Sequence, residues 1–114
     1  KEGIDKSSYQ LDSANSNDAL RQIEGDLKDG ADMIMIKPGL TYLDIISQTK
    51  NKYNVPIVAY NVSGEYSMIK NGIKNRIFNE DILKEIMISF KRAGANAIVS
   101  YFAIEYIEKF LNQK

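Results

Sequence analysis

The chain contains no histidine and no cysteine, so the commonest general base and metal ligand are missing from these 114 residues, along with disulfides and thiolate sites. Any chemistry here must use lysine, carboxylates or hydroxyls. Lys37 stands apart by its position: it closes the apolar run Asp32-Met33-Ile34-Met35-Ile36 and precedes Pro38-Gly39. An amine held at the end of a buried strand is poorly solvated, which favours its neutral form and lets it attack a ketone to give a Schiff base. The competing reading is a long side chain that snorkels from a strand end into water. Position alone leaves both open.

The elements that must hold Lys37 follow from spacing. Residues 13 to 17 are rich in helix-capping types, and Leu20, Ile23 and Leu27 recur at helical intervals until Gly30, predicting a helix over about 17 to 29. Met33-Ile34-Met35-Ile36 is continuously apolar, the pattern of a parallel strand covered on both faces. Leu43 and Ile46 open a second helix through Lys52, and Pro56 to Val62 form a second strand. After Ser63-Gly64 a helix carries Met68 and Ile69 to a break near Asn71-Gly72, and a longer one with Ile82, Ile86 and Phe90 runs to Gly94. Ala97 to Tyr101 make a third strand, and Ile104, Ile107, Phe110 and Leu111 give a final helix with its apolar face inward.

This βαβ rhythm contains a repeat. Asp29-Gly30-Ala31-Asp32-Met33-Ile34-Met35-Ile36-Lys37 is similar to Ala93-Gly94-Ala95-Asn96-Ala97-Ile98-Val99-Ser100-Tyr101. In a (β/α)8 TIM barrel, alternate strands feed the same interior layer, so the repeat puts Lys37 and Tyr101 at equivalent heights on the carboxyl face, where that fold carries its active site. Three strands cannot close a barrel, so the chain reads as its last three βα units or as part of an open doubly wound sheet. The phosphate-binding pattern G-x-G-x-x-G of the latter is absent, which favours the barrel.

Bulk properties bound the function. Hydrophobic residues make up 44% of the chain, enough for one modest core. Fifteen basic residues balance 15 acidic ones with no basic cluster, which argues against nucleic acid as a partner. No apolar run approaches a membrane span, and the polar opening has no signal-peptide core, so we expect an intracellular, cytoplasmic protein, or a plastid one. The start at Lys1 and its unpatterned flank suggest a piece of a longer protein.

Four segments in order carry a resemblance. D-K-S-S-Y-Q-L-D-S-A-N-S, M-I-K-P-G-L-T-Y-L-D-I-I, P-I-V-A-Y-N-V-S-G-E-Y-S-M-I and R-A-G-A-N-A-I-V-S-Y-F together resemble the carboxyl-terminal part of the 5-aminolevulinate dehydratases, or porphobilinogen synthases, from about Asp5 to Leu111. The resemblance implies an α/β (β/α)8 barrel, with residues 1–114 the carboxyl-terminal part of one catalytic domain. It implies a hydro-lyase of porphyrin and haem biosynthesis, joining two 5-aminolevulinate molecules into porphobilinogen with loss of two waters. Lys37 is then the Schiff-base lysine, assigned to the A-site substrate. Ser63 and Tyr101 match the hydroxyl pair that holds the P-site carboxylate, and Lys6 and Gln10 match the basic residue and amide at the A-site carboxylate. Each has a plainer reading: Ser63 as a helix N-cap, Tyr101 as a rim aromatic, Lys6 as a solvated charge.

One motif departs from the family. Members with an allosteric magnesium read A-L-R-E where this chain reads Ala19-Leu20-Arg21-Gln22, and a neutral amide is a weak ligand for a hard cation. No cofactor is expected within the chain. The parent's zinc or magnesium, its second lysine and its lid belong to preceding parts. The resemblance further implies a homo-octameric parent, with this piece inactive alone. The alternatives are a non-catalytic small-ligand or docking module and another Schiff-base barrel enzyme, a class I aldolase.

Overall fold

The computed structural model describes residues 15–111 and divides after Ala31 into two units. The first holds α1 (Ser16–Lys28). Asn15 caps it by accepting from the Asn17 N–H at 2.9 Å, satisfying a donor with no partner inside the helix. Gly30 ends it with φ of 100°, a left-handed conformation that glycine adopts without a side-chain clash.

The second unit runs β1 (Ile34–Ile36), a short 3-10 turn (Leu40–Tyr42), α2 (Leu43–Lys52), β2 (Ile57–Asn61), α3 (Ser63–Lys74), α4 (Asp81–Ala93), β3 (Ala97–Ser100) and α5 (Ala103–Tyr106), with a π-type turn over Ile107–Leu111. The strands form one parallel sheet in the order β1-β2-β3. Asn96 pins the last pairing: its side chain accepts from the Ile57 N–H at 3.0 Å and its own N–H donates to the Ile57 carbonyl at 2.8 Å. Consecutive parallel strands joined through helices are the βα units that the rhythm predicts.

One face of the sheet is sealed. Ile34, Ile36, Ile57 and Ala59 are buried on the side of α2 and α4, with Ile45, Ile46, Leu83, Ile86, Met87 and Phe90 facing them. Gly39 allows the chain after β1 to lie on this core, because a Cβ there would stand 2.8 Å from Phe90 Cε1 and 3.0 Å from the Tyr60 carbonyl oxygen. The opposite face, with Met35, Val58, Tyr60, Ala97 and Val99, is open to varying degrees, so the expectation of strands covered on both faces is met on one side only. Parallel-strand composition anticipates two covering layers, and the described residues supply one.

Two helices also differ from expectation. α3 continues through Asn71-Gly72 to Lys74, because Gly72 leaves room for the Phe78 ring, and the turn falls at Arg76, whose φ is 60°. The final helix is short, and Ile104 (71% exposed), Ile107 and Leu111 point outward. Its apolar face has no partner among the described residues.

Candidate active site

Lys37 directly follows β1, Ser63 follows β2 by two residues, and Tyr101 directly follows β3. In a parallel sheet all three therefore sit at one edge, the carboxyl ends of the strands. Extending the pairing Ile36↔Ala59 by one residue sets Lys37 beside Tyr60, which pairs with Val99. Lys37 is thus level with Val99, and Tyr101 lies one side-chain step higher on the same open face. The two-residue offset across two strands is the one that tilted strands of a shear-8 barrel give between side chains of one layer, so the register is compatible with equal heights along a barrel axis. The repeat aligns the helix stops: Gly30 and Gly94 both have positive φ, and Ala31→Asp26 and Ala95→Phe90 are the same six-residue hydrogen bond, while the strands are staggered in pairing.

Lys37 is exposed, and among the described residues no carboxylate lies within ion-pair distance of its amine. The poor solvation expected of it is not supplied by these residues, because its face of the sheet is open. The Lys37–Pro38 bond is cis, an isomer open to a tertiary amide. Ser63 is the first residue of α3, and the N-cap is Val62 with no side-chain cap bond. Its hydroxyl is exposed and not engaged in capping.

Tyr101 is held on two sides. Its ring centroid lies 5.4 Å from that of Tyr66, which also packs on Phe102 at 4.5 Å. Hydrogen bonding with the Tyr60 side chain, then charge interaction with Tyr60 and burial, push ionisation of the Tyr101 hydroxyl above the usual phenol value. It remains a proton donor at neutral pH. Lys6 and Gln10 lie outside the described residues.

Sequence reasoning passed over the polar groups beneath these side chains. Glu65 Oε2 accepts from the Leu40 N–H at 2.9 Å, and Oε1 accepts from Asn61 Nδ2 at 2.6 Å. Asn61 Oδ1 accepts from the Ser100 hydroxyl at 2.8 Å, and Ser100 Oγ accepts from the Phe102 N–H at 3.0 Å. Asn61 is fully buried and Glu65 is 6% exposed. The signal was available in the motifs N-V-S-G-E and S-Y-F, where a polar residue follows each apolar strand; the partners were not, because they meet across three strands.

Among the described residues no group of three or more histidine, cysteine, aspartate or glutamate side chains could hold a metal. Gln22, at the departure from the magnesium motif, donates to Asp26 Oδ1 at 3.1 Å. No helix of the described residues is long and apolar enough to cross a membrane.

The fold and the edge residues define a class: consecutive βα units of an α/β barrel, with an amine and two hydroxyls at the carboxyl ends of the strands. The family model "Delta-aminolevulinic acid dehydratase" matches residues 1–109. Curated relatives of that name from Archaeoglobus fulgidus and Staphylococcus epidermidis are 51% and 54% identical, each over 92% of this chain and over 33% and 34% of their own lengths. The crystal structure of the Toxoplasma gondii delta-aminolevulinic acid dehydratase (porphobilinogen synthase), in complex with the reaction product porphobilinogen, is 46% identical, with a TM-score of 0.88 over 93% of this chain and 30% of that one. The chain belongs to the delta-aminolevulinic acid dehydratase family. It spans about a third of the length of the relatives it matches.

Proposed function

We propose that residues 1–114 are the carboxyl-terminal part of a single TIM-barrel catalytic domain of a porphobilinogen synthase, a hydro-lyase that condenses two 5-aminolevulinate molecules with loss of two waters. Family membership, joined to a lysine at a barrel strand end, carries this reading. The Lys37 amine adds to the substrate ketone, water leaves, and the resulting iminium draws electrons from the adjacent carbon, which permits carbon–carbon bond formation near neutral pH.

Lys37, Ser63 and Tyr101 serve one substrate molecule in this proposal, which moves Lys37 from the A-site substrate to the one whose carboxylate Ser63 and Tyr101 hold. The register supports the change. Lys37 is beside Tyr60 in register, and Tyr60 pairs with Val99, two residues below Tyr101 on the same open face. The step from the Lys37 level to Tyr101 is about 7 Å, a gap that an upward-reaching lysine and a short keto acid span together. The neutral Tyr101 donor, the uncommitted Ser63 hydroxyl and the N–H groups opening α3 suit a carboxylate.

Lys6 and Gln10 contact the carboxylate of the second substrate molecule in this scheme. The metal of the parent, zinc or magnesium, would be held by residues outside this segment, and no step here depends on it. A homo-octamer in the cytoplasm completes the proposal, with this segment inactive alone. Borohydride reduction of the full-length enzyme with 5-aminolevulinate is expected to leave an adduct on Lys37, read by peptide mass spectrometry. Full labelling elsewhere with Lys37 unmodified refutes the assignment.

A further inference from the structure

Each edge residue is bracketed by members of the buried polar chain. Leu40, three residues after Lys37, donates to Glu65. Ser63 lies between Asn61 and Glu65, and Tyr101 lies between Ser100 and Phe102. Every group in the chain is satisfied in one arrangement only: both Glu65 oxygens accept, the Asn61 amide must turn its NH2 to Glu65 and its oxygen to Ser100, and the Ser100 hydroxyl must donate to Asn61 while accepting from Phe102. The chain crosses all three strand ends, and at its buried centre, Asn61 and Glu65, the geometry is stiff because a broken link leaves an unpaired polar atom.

We propose that Asn61, Glu65 and Ser100 are positioning residues that set Lys37, Ser63 and Tyr101 in mutual register for catalysis, an inference that rests on the proposed function above. They touch no substrate; they act through the backbone of the three residues that do. Plain core packing explains a buried apolar edge, but it does not explain a carboxylate, an amide and a hydroxyl linked in series under the three motif residues. A direct role in the chemistry is equally unsupported, since all their polar bonds are directed into the protein.

The link between Asn61 and Glu65 permits a reversal test in the full-length enzyme. In Asn61→Asp two carboxylates face each other, and in Glu65→Gln an amide NH2 meets the Leu40 N–H or the Asn61 NH2, or Asn61 turns over and leaves the Ser100 hydroxyl proton without its acceptor. The double variant restores every bond with donor and acceptor exchanged. The introduced glutamine would donate to the introduced aspartate and accept from the Leu40 N–H, while that aspartate would still accept from Ser100.

Measured well below each melting temperature, the single variants are expected to lose kcat by about 10- to 100-fold, the scale of an ångström-sized misplacement, and the double to recover most of it. Ser100→Ala, which removes only the link to β3, is expected to lower kcat by a smaller factor with the Lys37 adduct still forming. Unchanged kcat in the folded single variants, or a folded double variant as poor as the singles, overturns the proposal. If a single variant does not fold, the Ser100→Ala result decides: kcat at the parent value overturns it. Absence of the Lys37 adduct in the unmutated enzyme instead defeats the functional reading, so the two failures are distinguishable.

Discussion

The two faces of the one sheet do different work. On the covered face Ile34, Ile36, Ile57 and Ala59 are nearly inaccessible beneath α2 and α4. On the other, Met35 is 49% exposed, Val99 43% and Tyr101 56%, with Lys37 and Tyr60 among them. Successive strand residues point to opposite faces, so a single step along the chain passes from the core to the candidate site. One set of alternating positions forms the core and the other carries the candidate site. The Glu65–Asn61–Ser100 chain, buried at Glu65 and Asn61, is the place where they meet, at the strand ends. A contiguous apolar face such as Met35, Val58 and Val99 calls for cover, and in a closed barrel that cover is the rest of the interior.

Substitutions on the two faces sharpen this contrast. Phe90→Ala in the full-length protein is expected to cost about 3–5 kcal/mol, because it empties the centre of the covered face. Met35→Ala is expected to cost about 2–5 kcal/mol if the remaining strands close over the open face. A loss under about 0.5 kcal/mol in denaturant titration would show that this face stays in water, breaking the barrel interpretation.

Gly39→Ala is expected to cost about 1–3 kcal/mol, since the new methyl group meets Phe90 and the Tyr60 carbonyl and at least one must shift. It should also reduce activity, because the displaced loop follows Lys37. Retained activity at reduced stability would show the two faces to be independent of each other at this loop.

Ser63→Ala is expected to change stability by no more than about 0.5 kcal/mol, since Ser63 makes no capping bond, while KM for 5-aminolevulinate rises. A melting temperature that falls in step with activity would restore the capping role. The smallest effect concerns protonation. Tyr60→Phe removes the main cause that raises Tyr101 ionisation, so alkaline absorbance titration should find the Tyr101 phenol ionising at lower pH, nearer the usual value of about 10. The sign follows because a hydrogen bond that favours the neutral phenol delays proton loss; an unchanged titration would exclude Tyr60 as the partner.

The sequence determined the order and type of the elements, because apolar periodicity, capping residues and glycine stops are local. Ser16–Lys28, Leu43–Lys52 and Asp81–Ala93 fall where spacing puts them, and the Gly30 and Gly94 stops share one geometry. It also singled out Lys37, and the four motifs pointed to the family. Only the tertiary structure decided the stagger of the strands, which sets Lys37 beside Tyr60 and one step below Tyr101. It alone brought Glu65, Asn61 and Ser100 into one chain. The reason is physical: a repeat in sequence fixes the period along each strand, whereas the relative shift of neighbouring strands and the partners of a buried polar group depend on contacts between residues far apart in the chain.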